Sequence, residues 1–397
     1  MRDEIKKRVM DRIDLSREVE DEEILSLIRE EIIFAGKECV ISIPERMAIQ
    51  KDIFNSLRKL DVLQDLLEDD EITEIMINGA NNIFVEKNGK IERTAKKFSS
   101  EEKLSDVIQQ IVAVNNKIVN ESTPIVDTRL SDGSRVNIIL PPVAVDHSIL
   151  AIRRFPKETI TMSKLLSFGS ISEEIVEFLK NLVRARYNIF VSGGTGSGKT
   201  TFLNALTEFI PKGERVITIE DSAELQIIGV DNLVRLESRS ANLEGKLEIP
   251  IRELVRAALR QRPDRIVVGE CRGGEALEVL QACNTGHDGS LSTGHANTCK
   301  DMVSRLETMV LMSGMELPIA AIRQQIASGI DFIVHLGRLR DKSRKLLEIS
   351  EVIGMENGEI QLATIYEIEP EIRGKQGVWK KKNEIYHREK LQMAGLC

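Results

Sequence analysis

At 397 residues the chain is long enough for two to three domains, each able to bury its own core. A composition of 42% hydrophobic and 30% charged residues is that of a soluble globular protein, and a net charge of −8 argues against a general electrostatic binder of nucleic acid. No run of about 20 apolar residues is present to span a membrane, and the opening residues lack the apolar core of an export signal.

Five scattered cysteines (Cys39, Cys271, Cys283, Cys299, Cys397) read as reduced cytosolic thiols, with neither a disulfide framework nor a zinc site. Residues 1–58 are dense in charge, with Ile24, Leu25, Ile28 and Ile32 at the spacing of amphipathic helices. A helical segment is expected there, used for docking or as a satellite core. Residues 60–155 read as an α+β domain. It has a short helix over 61–67, strands over 72–77 and 82–86, and an Asn88-Gly89 turn into Ile91. A helix over 101–118 and strands over 125–130, 135–140 and 150–155 follow. Arg129 and Arg135 flank the Ser131-Asp132-Gly133 turn, so they sit near one end of a hairpin, and Arg153 and Arg154 come next. Guanidinium forks suit phosphate oxygens; the alternative is surface arginines paired with acidic neighbours. The stretch 156–161 reads as a linker, because Pro156 breaks pairing and no periodicity follows.

Residues 162–370 carry the chemistry. Ser172, Glu173 and Glu174 open a helix that leads to the apolar run Ile189, Phe190 and Val191. Then come Gly193, Gly194, Thr195, Gly196, Ser197, Gly198, Lys199, Thr200 and Thr201, followed by Phe202, Leu203, Leu206 and Phe209 at helical spacing. Strand, G-x-x-x-x-G-K-T and helix make the full context of a P-loop. The glycines let several N–H groups point at one phosphate, and the helix N-terminus adds its dipole. Lys199 can reach the β- and γ-phosphates, and the Thr200 hydroxyl can ligate Mg²⁺. Binding of a nucleoside triphosphate is expected.

Further along, a strand over 215–219 delivers Glu220 to the crevice where α/β sheets bind ligands, placed to polarise water unless it serves as a helix cap or ion-pair partner. A strand over 265–268 delivers Glu270, expected to hold the Mg²⁺ water shell. Between them, Pro250 begins a helix whose outer stripe of Arg252, Arg256 and Arg260 reads as a solvated face. His287 and His295 lie in a turn-rich run, 286–297, without zinc-ligand spacing, and read as sensors of a γ-phosphate. Helices over 302–312 and 318–328 and strands over 332–336, 346–352 and 360–368 complete one large domain. Residues 371–397 read as a basic, frayed tail.

Four motifs, at 193–200, 217–225, 262–276 and 286–297, stand in the order of the Walker A, Asp box, Walker B and His box of the type II/type IV secretion ATPase superfamily, which the chain resembles over about residues 60–370. Segments 127–137 and 284–290 resemble more narrowly the CpaF/TadA branch, which drives Flp (Tad, type IVc) pili. The resemblance implies a RecA-like C-terminal ATPase domain, a smaller N-terminal domain on a flexible linker, and a homohexamer. It implies ATP with Mg²⁺ held by Thr200 and Glu270, and Glu220 as general base. Arg129, Arg135, Arg153 and Arg154 would reach across to the phosphates, and His287 and His295 would couple the γ-phosphate to domain closure. By the same resemblance the protein is cytoplasmic, at the cytoplasmic face of the inner or plasma membrane. It would work there with inner-membrane platform proteins, and the acidic total argues against nucleic acid as a partner. The tetracysteine zinc module of the GspE branch is absent, which argues against a general type II secretion ATPase. Competing readings are the ATPase of a related conjugation or type IV secretion apparatus, a nucleotide-loaded scaffold, and a nucleic-acid translocase. The last is weakened by 4% aromatics, which offer few stacking platforms.

Overall fold

A computed structural model describes residues 1–14, 16–17, 19–37, 40–87, 89–155, 159–239, 247–339, 341–369 and 377–396. Asn88 of the expected turn, Pro156 of the expected linker, Cys39, Cys397 and the tail residues 371–376 lie outside the described residues. The chain divides into two compact units, Met1–Lys157 and Glu158–Cys397.

The first unit opens with helices α1 (Arg2–Arg12), α2 (Asp21–Ala35) and α3 (Ile43–Arg58), which bury Ile5, Val9, Ile24, Ile28, Ile32 and Ile53 in a core of their own. Helix α3 starts where Ser42 and Glu45 cap each other's main chain and Pro44 sits in the first turn. After α4 (Val62–Glu68) come β1 (Ile72–Asn78), β2 (Ile83–Lys87), β3 (Lys90–Arg93), α5 (Glu101–Val114), β4 (Ile125–Arg129), β5 (Arg135–Ile139) and β6 (Ile149–Arg153). The strands form an antiparallel sheet in the order β3-β2-β1-β6-β5-β4. Leu104, Val107, Ile108 and Ile111 of α5 join Ile75, Ile77, Ile138 and Leu150 in its core. Helix α5 ends short of the expected 101–118, because Asn116 takes a left-handed backbone (φ 52°) that no helix continues through. Alternate residues of β4, β5 and β6 are buried, so Arg129, Arg135 and Arg153 share the opposite face.

The second unit contains α6 (Met162–Ser167), α7 (Glu173–Arg184), β7 (Ile189–Gly193), α8 (Lys199–Thr207), β8 (Arg215–Glu220), β9 (Asn232–Glu237), α9 (Ile251–Ala258), β10 (Arg265–Cys271), α10 (Ala276–Asn284) and β11 (Leu291–Gly294). It continues with α11 (Cys299–Leu311), α12 (Ile319–Gly329), β12 (Phe332–Arg338), β13 (Arg344–Glu356), β14 (Glu359–Glu369), β15 (Val378–Lys381) and α13 (Glu389–Met393). The nine strands run β15-β14-β13-β12-β7-β11-β10-β8-β9. From β12 to β9 the pairing is parallel, and from β12 outwards through β15 it is antiparallel. Helices cover both faces, so β7, β10 and β12 read as continuous apolar runs with a separate core on each side.

Two expectations need correction. The Arg252, Arg256 and Arg260 stripe is not simply a solvated face: Arg252 Nε and Arg256 Nη2 donate to the buried Glu278 at 2.6 and 2.7 Å. Helix α10, which brings Glu278, lacked a capping signal in the sequence. The frayed tail is also docked over its described residues. Residues Val378–Lys381 add a strand to β14, and Trp379 Nε1 donates to Leu346 O at 2.8 Å. Fully buried Glu351 accepts from the main-chain N–H groups of Tyr386 and His387, both at 2.8 Å. Lys390 Nζ ends the strap, bridging Asp288 and Asp331 at 2.7 Å each. A buried carboxylate needs such partners, and main-chain N–H groups of the tail supply them for Glu351.

Candidate nucleotide-binding site

Because β7, β11, β10 and β8 are parallel, their C-terminal ends deliver four loops to one edge of the sheet. Gly193 ends β7 where a Cβ would stand 2.5 Å from Ser197 Oγ and 2.6 Å from Leu336 O, so only glycine fits. The loop that follows turns back on itself: Gly194 O accepts from the Ser197 N–H at 3.3 Å and from Lys199 Nζ at 3.1 Å. Ser197 Oγ is buried without a hydrogen-bond partner among the described residues. Such donors, at the head of α8, are those an anion would take from Gly194 O. Thr200 stands in the first turn of α8.

His295, one residue past β11, places Nδ1 3.3 Å from Lys199 Nζ and Nε2 2.7 Å from Glu270 Oε1 at the end of β10. The latter contact is close but out of line, since Glu270 Oε1 has no aligned donor among the described residues. Glu270 Oε2 accepts from Arg272 at 2.6 and 2.9 Å. Burial holds the His295 imidazole below its ordinary range, the Lys199 charge adds to this, and Glu270 opposes it. A neutral ring with Nδ1 as acceptor suits the lysine beside it. At the end of β8, Glu220 is 3% exposed. Its Oε1 accepts from the main-chain N–H groups of Glu224 and Leu225 at 2.8 and 2.9 Å, while Oε2 is buried without a partner among the described residues. Burial pushes this carboxyl above the ordinary range, against the pull of the two N–H groups. Gly269 makes room for it: a Cβ there would stand 2.8 Å from Glu220 Cγ.

In the first unit, Arg129 pairs with Arg135 and Arg135 with Arg153 across β4, β5 and β6, and Arg153 pairs with Glu74 of β1. Three guanidinium side chains therefore stand abreast on one sheet face.

A family model described as "Type II/IV secretion system protein" matches residues 57–383. The chain belongs to that family. A putative conjugal transfer protein of Mycobacterium tuberculosis is 33% identical over 77% of this chain and 87% of its own length. The type IV secretion system protein VirB11 of Brucella suis is 31% identical over 74% of this chain and 88% of its own. The crystal structure of the pilus retraction motor PilT with bound ADP aligns over 78% of this chain and 82% of that one, at a TM-score of 0.53 and 22% identity, a likeness of fold. The second unit of this secretion-family chain is thus a RecA-like P-loop domain on a mixed α/β scaffold.

Two expected site residues of this family member fall elsewhere. Arg154 is 6% exposed and turned inward, where Nη1 donates to Asp69 O and to Ile72 O (3.1 Å to the latter); it staples β6 to the α4–β1 corner. Its guanidinium is committed to those carbonyls, unlike its neighbour Arg153 on the other face. His287 precedes β11, whereas Lys199 follows β7. With Leu291 level with Ile189 and Gly294 level with Ser192, the histidine lies at the other end of the parallel strands. At about 3.3 Å per residue the separation is on the order of 13 Å or more, so His287 cannot touch a phosphate held by Lys199.

Conversely, motif reading missed Arg344. Strand β12 is level with β7, Leu336 against Gly193, so the β12–β13 hairpin overhangs the P-loop and Arg344 Nε donates to Gly196 O at 2.9 Å. No spacing signal links positions 196 and 344; only strand order does. Arg272, two residues past Glu270, was likewise visible only as part of a motif.

Proposed function

We propose that this protein is an ATP-hydrolysing motor for a membrane-bound secretion, conjugation or pilus machine. The observation that carries the reading is the meeting of Lys199, His295 and Glu270 beneath a P-loop, with Glu220 alongside. In the proposed reaction a water oxygen bonds to the γ-phosphorus, the bond from that phosphorus to the β–γ bridging oxygen breaks, ADP leaves, and Glu220 takes the water's proton. A raised carboxyl pKa suits that role, because a base works best near the operating pH. Lys199 neutralises charge on the departing oxygens, and neutral His295 reports the state of that lysine to Glu270.

The residues present suit a Mg²⁺ ion. The Thr200 hydroxyl and the Glu270 carboxylate are hard oxygen donors, and Glu270 Oε1 is buried without an aligned donor of its own. When bound, the ion would neutralise charge on the β- and γ-oxygens. A cavity of about 240 Å³ between Gly198, Thr201, Phe202, Leu165, Phe168 and Leu336 adjoins the loop. It is below the roughly 300–1,000 Å³ of a drug-sized ligand site and takes a planar base in preference to a whole nucleotide.

Arg129, Arg135 and Arg153 are proposed to complete the phosphate site in trans, in a homohexameric ring docked through inner-membrane platform proteins at the cytoplasmic face. Among the described residues no helix is long and apolar enough to cross a membrane, so attachment would be through partners. Segments 127–137 and 284–290 favour a Tad-type pilus as the machine; the conjugal-transfer and VirB11 relatives favour a conjugation or type IV secretion apparatus. Deleting the gene in its host and scoring surface pili against DNA or protein transfer separates these. ATP turnover per chain, measured against protein concentration with Lys199→Ala as the blank, tests the motor itself. A steep rise supports a site completed between chains, and a flat line removes the arginine and ring assignments.

A further inference from the structure

Arg344 opens β13 and faces Arg338 directly across the hairpin. Two like charges opposite one another repel, and both side chains reach the same stretch of main chain. Arg344 Nε bonds Gly196 O at 2.9 Å, and its Cδ lies 3.3 Å from where a Cβ of Gly198 would stand. Arg338 Nη1 lies 3.9 Å from the corresponding point at Gly196. The described residues of the hairpin are tied by hydrogen bonds. Asp341 Oδ1 accepts from the Ser343 N–H and hydroxyl at 2.9 and 2.6 Å, and Leu339 N donates to Ser343 O at 2.8 Å. On its far side, Leu346 O is held by the Trp379 indole at 2.8 Å, so the strap buttresses the strand that carries Arg344.

We propose that Arg344 is a positioning residue for the phosphate-binding loop. Holding the Gly196 carbonyl fixes the Gly196–Ser197 peptide, and within that trans plane the Ser197 N–H points opposite to the carbonyl. The amide is then already turned toward the interior of the loop, where Gly194 O now accepts it and a phosphate oxygen would replace that carbonyl. Without the brace the glycine-rich segment is free to rotate, and binding must pay for ordering it. The effect falls on binding and not on chemistry, because Arg344 contacts a carbonyl and not a reacting atom. The proposal rests on the nucleotide reading above.

The test uses the full chain and measures the Kd for ADP by calorimetry, the KM and kcat for ATP, and the melting temperature, in wild type, Arg344→Ala, Arg344→Lys and Lys199→Ala. A charge-assisted bond at an exposed site predicts that Arg344→Ala raises Kd and KM about three- to tenfold. Saturated kcat should stay within about twofold and the melting temperature should hold, and Arg344→Lys should restore much of the affinity. Unchanged Kd and KM in Arg344→Ala would overturn the proposal. So would a fall in saturated kcat, which would make Arg344 a transition-state group. Failure of the wild type to bind ADP more tightly than Lys199→Ala would instead overturn the nucleotide reading.

Discussion

His295 Nδ1 lies 3.3 Å from Lys199 Nζ, so a side chain just past β11 stands against the P-loop lysine while its other nitrogen faces Glu270. On the proposed reading, a phosphate that draws Lys199 away changes the partner of His295, and the ring carries that change to the β10 acid. His295→Ala is expected to lower kcat about 10- to 100-fold, the worth of a hydrogen bond to a charged group. The Kd for ADP should change much less. Rapid-mixing turnover alongside ADP titration checks the split, and equal losses in both would show that the histidine merely shapes the pocket.

Glu220→Gln should retain nucleotide binding and lose at least about 10²-fold in turnover, the usual contribution of a general base. The pH profile adds a sign. Burial raises this carboxyl, so it protonates at a higher pH than an ordinary glutamate. Wild-type turnover must therefore fall on acidification through that raised value, and the residual turnover of Glu220→Gln must lack the limb. A wild-type acid limb at the ordinary glutamate value would contradict the assignment.

Arg153 and Arg154 are adjacent, yet their substitutions should separate. Arg154→Ala leaves two part-buried carbonyls without their charged donor and should destabilise the first unit by about 1–3 kcal/mol. Arg153→Ala should leave unfolding unchanged and lower ATP turnover. Denaturant unfolding with turnover at saturating ATP distinguishes them; the same phenotype in both variants would refute the division.

Lys390→Met removes the cation between Asp288 and Asp331. The cluster is only partly buried, with side-chain exposures of 26% for Lys390 and 23% for Asp331, so the expected cost is about 1–3 kcal/mol, below that of a fully buried pair. A domain of this size shifts by about 2–4 °C per kcal/mol, which calorimetry resolves. No shift would mean that the strap adds nothing to the sheet beneath it.

Much of this arrangement was legible in the sequence wherever a local rule governed. The P-loop was readable because strand, glycine spacing and helix are contiguous, and Glu220 and Glu270 because an acid after an apolar strand points one way. Legibility failed wherever a partner comes from elsewhere in the chain. Arg154 and Arg153 are alike in composition and neighbourhood, and only strand alternation, set by which face α5 covers, turns one inward. His287 and His295 share a motif, yet β11 runs between them and carries them to opposite ends of the sheet. The tail looked irregular because its contacts, Glu351, Tyr187 and Asp331, are far away in sequence.

Strand order also sets a schedule for biosynthesis. Ile189 of β7 lies between Leu291 and Phe332, so the P-loop strand leaves the ribosome long before either neighbour exists. At about 5–20 residues per second, the wait for β12 is roughly 7–30 s. During that interval an apolar strand with both edges open is a target for chaperones and for aggregation. Fragments that stop short of β12 will contain every residue of the nucleotide motif and still lack the sheet that gives it a shape.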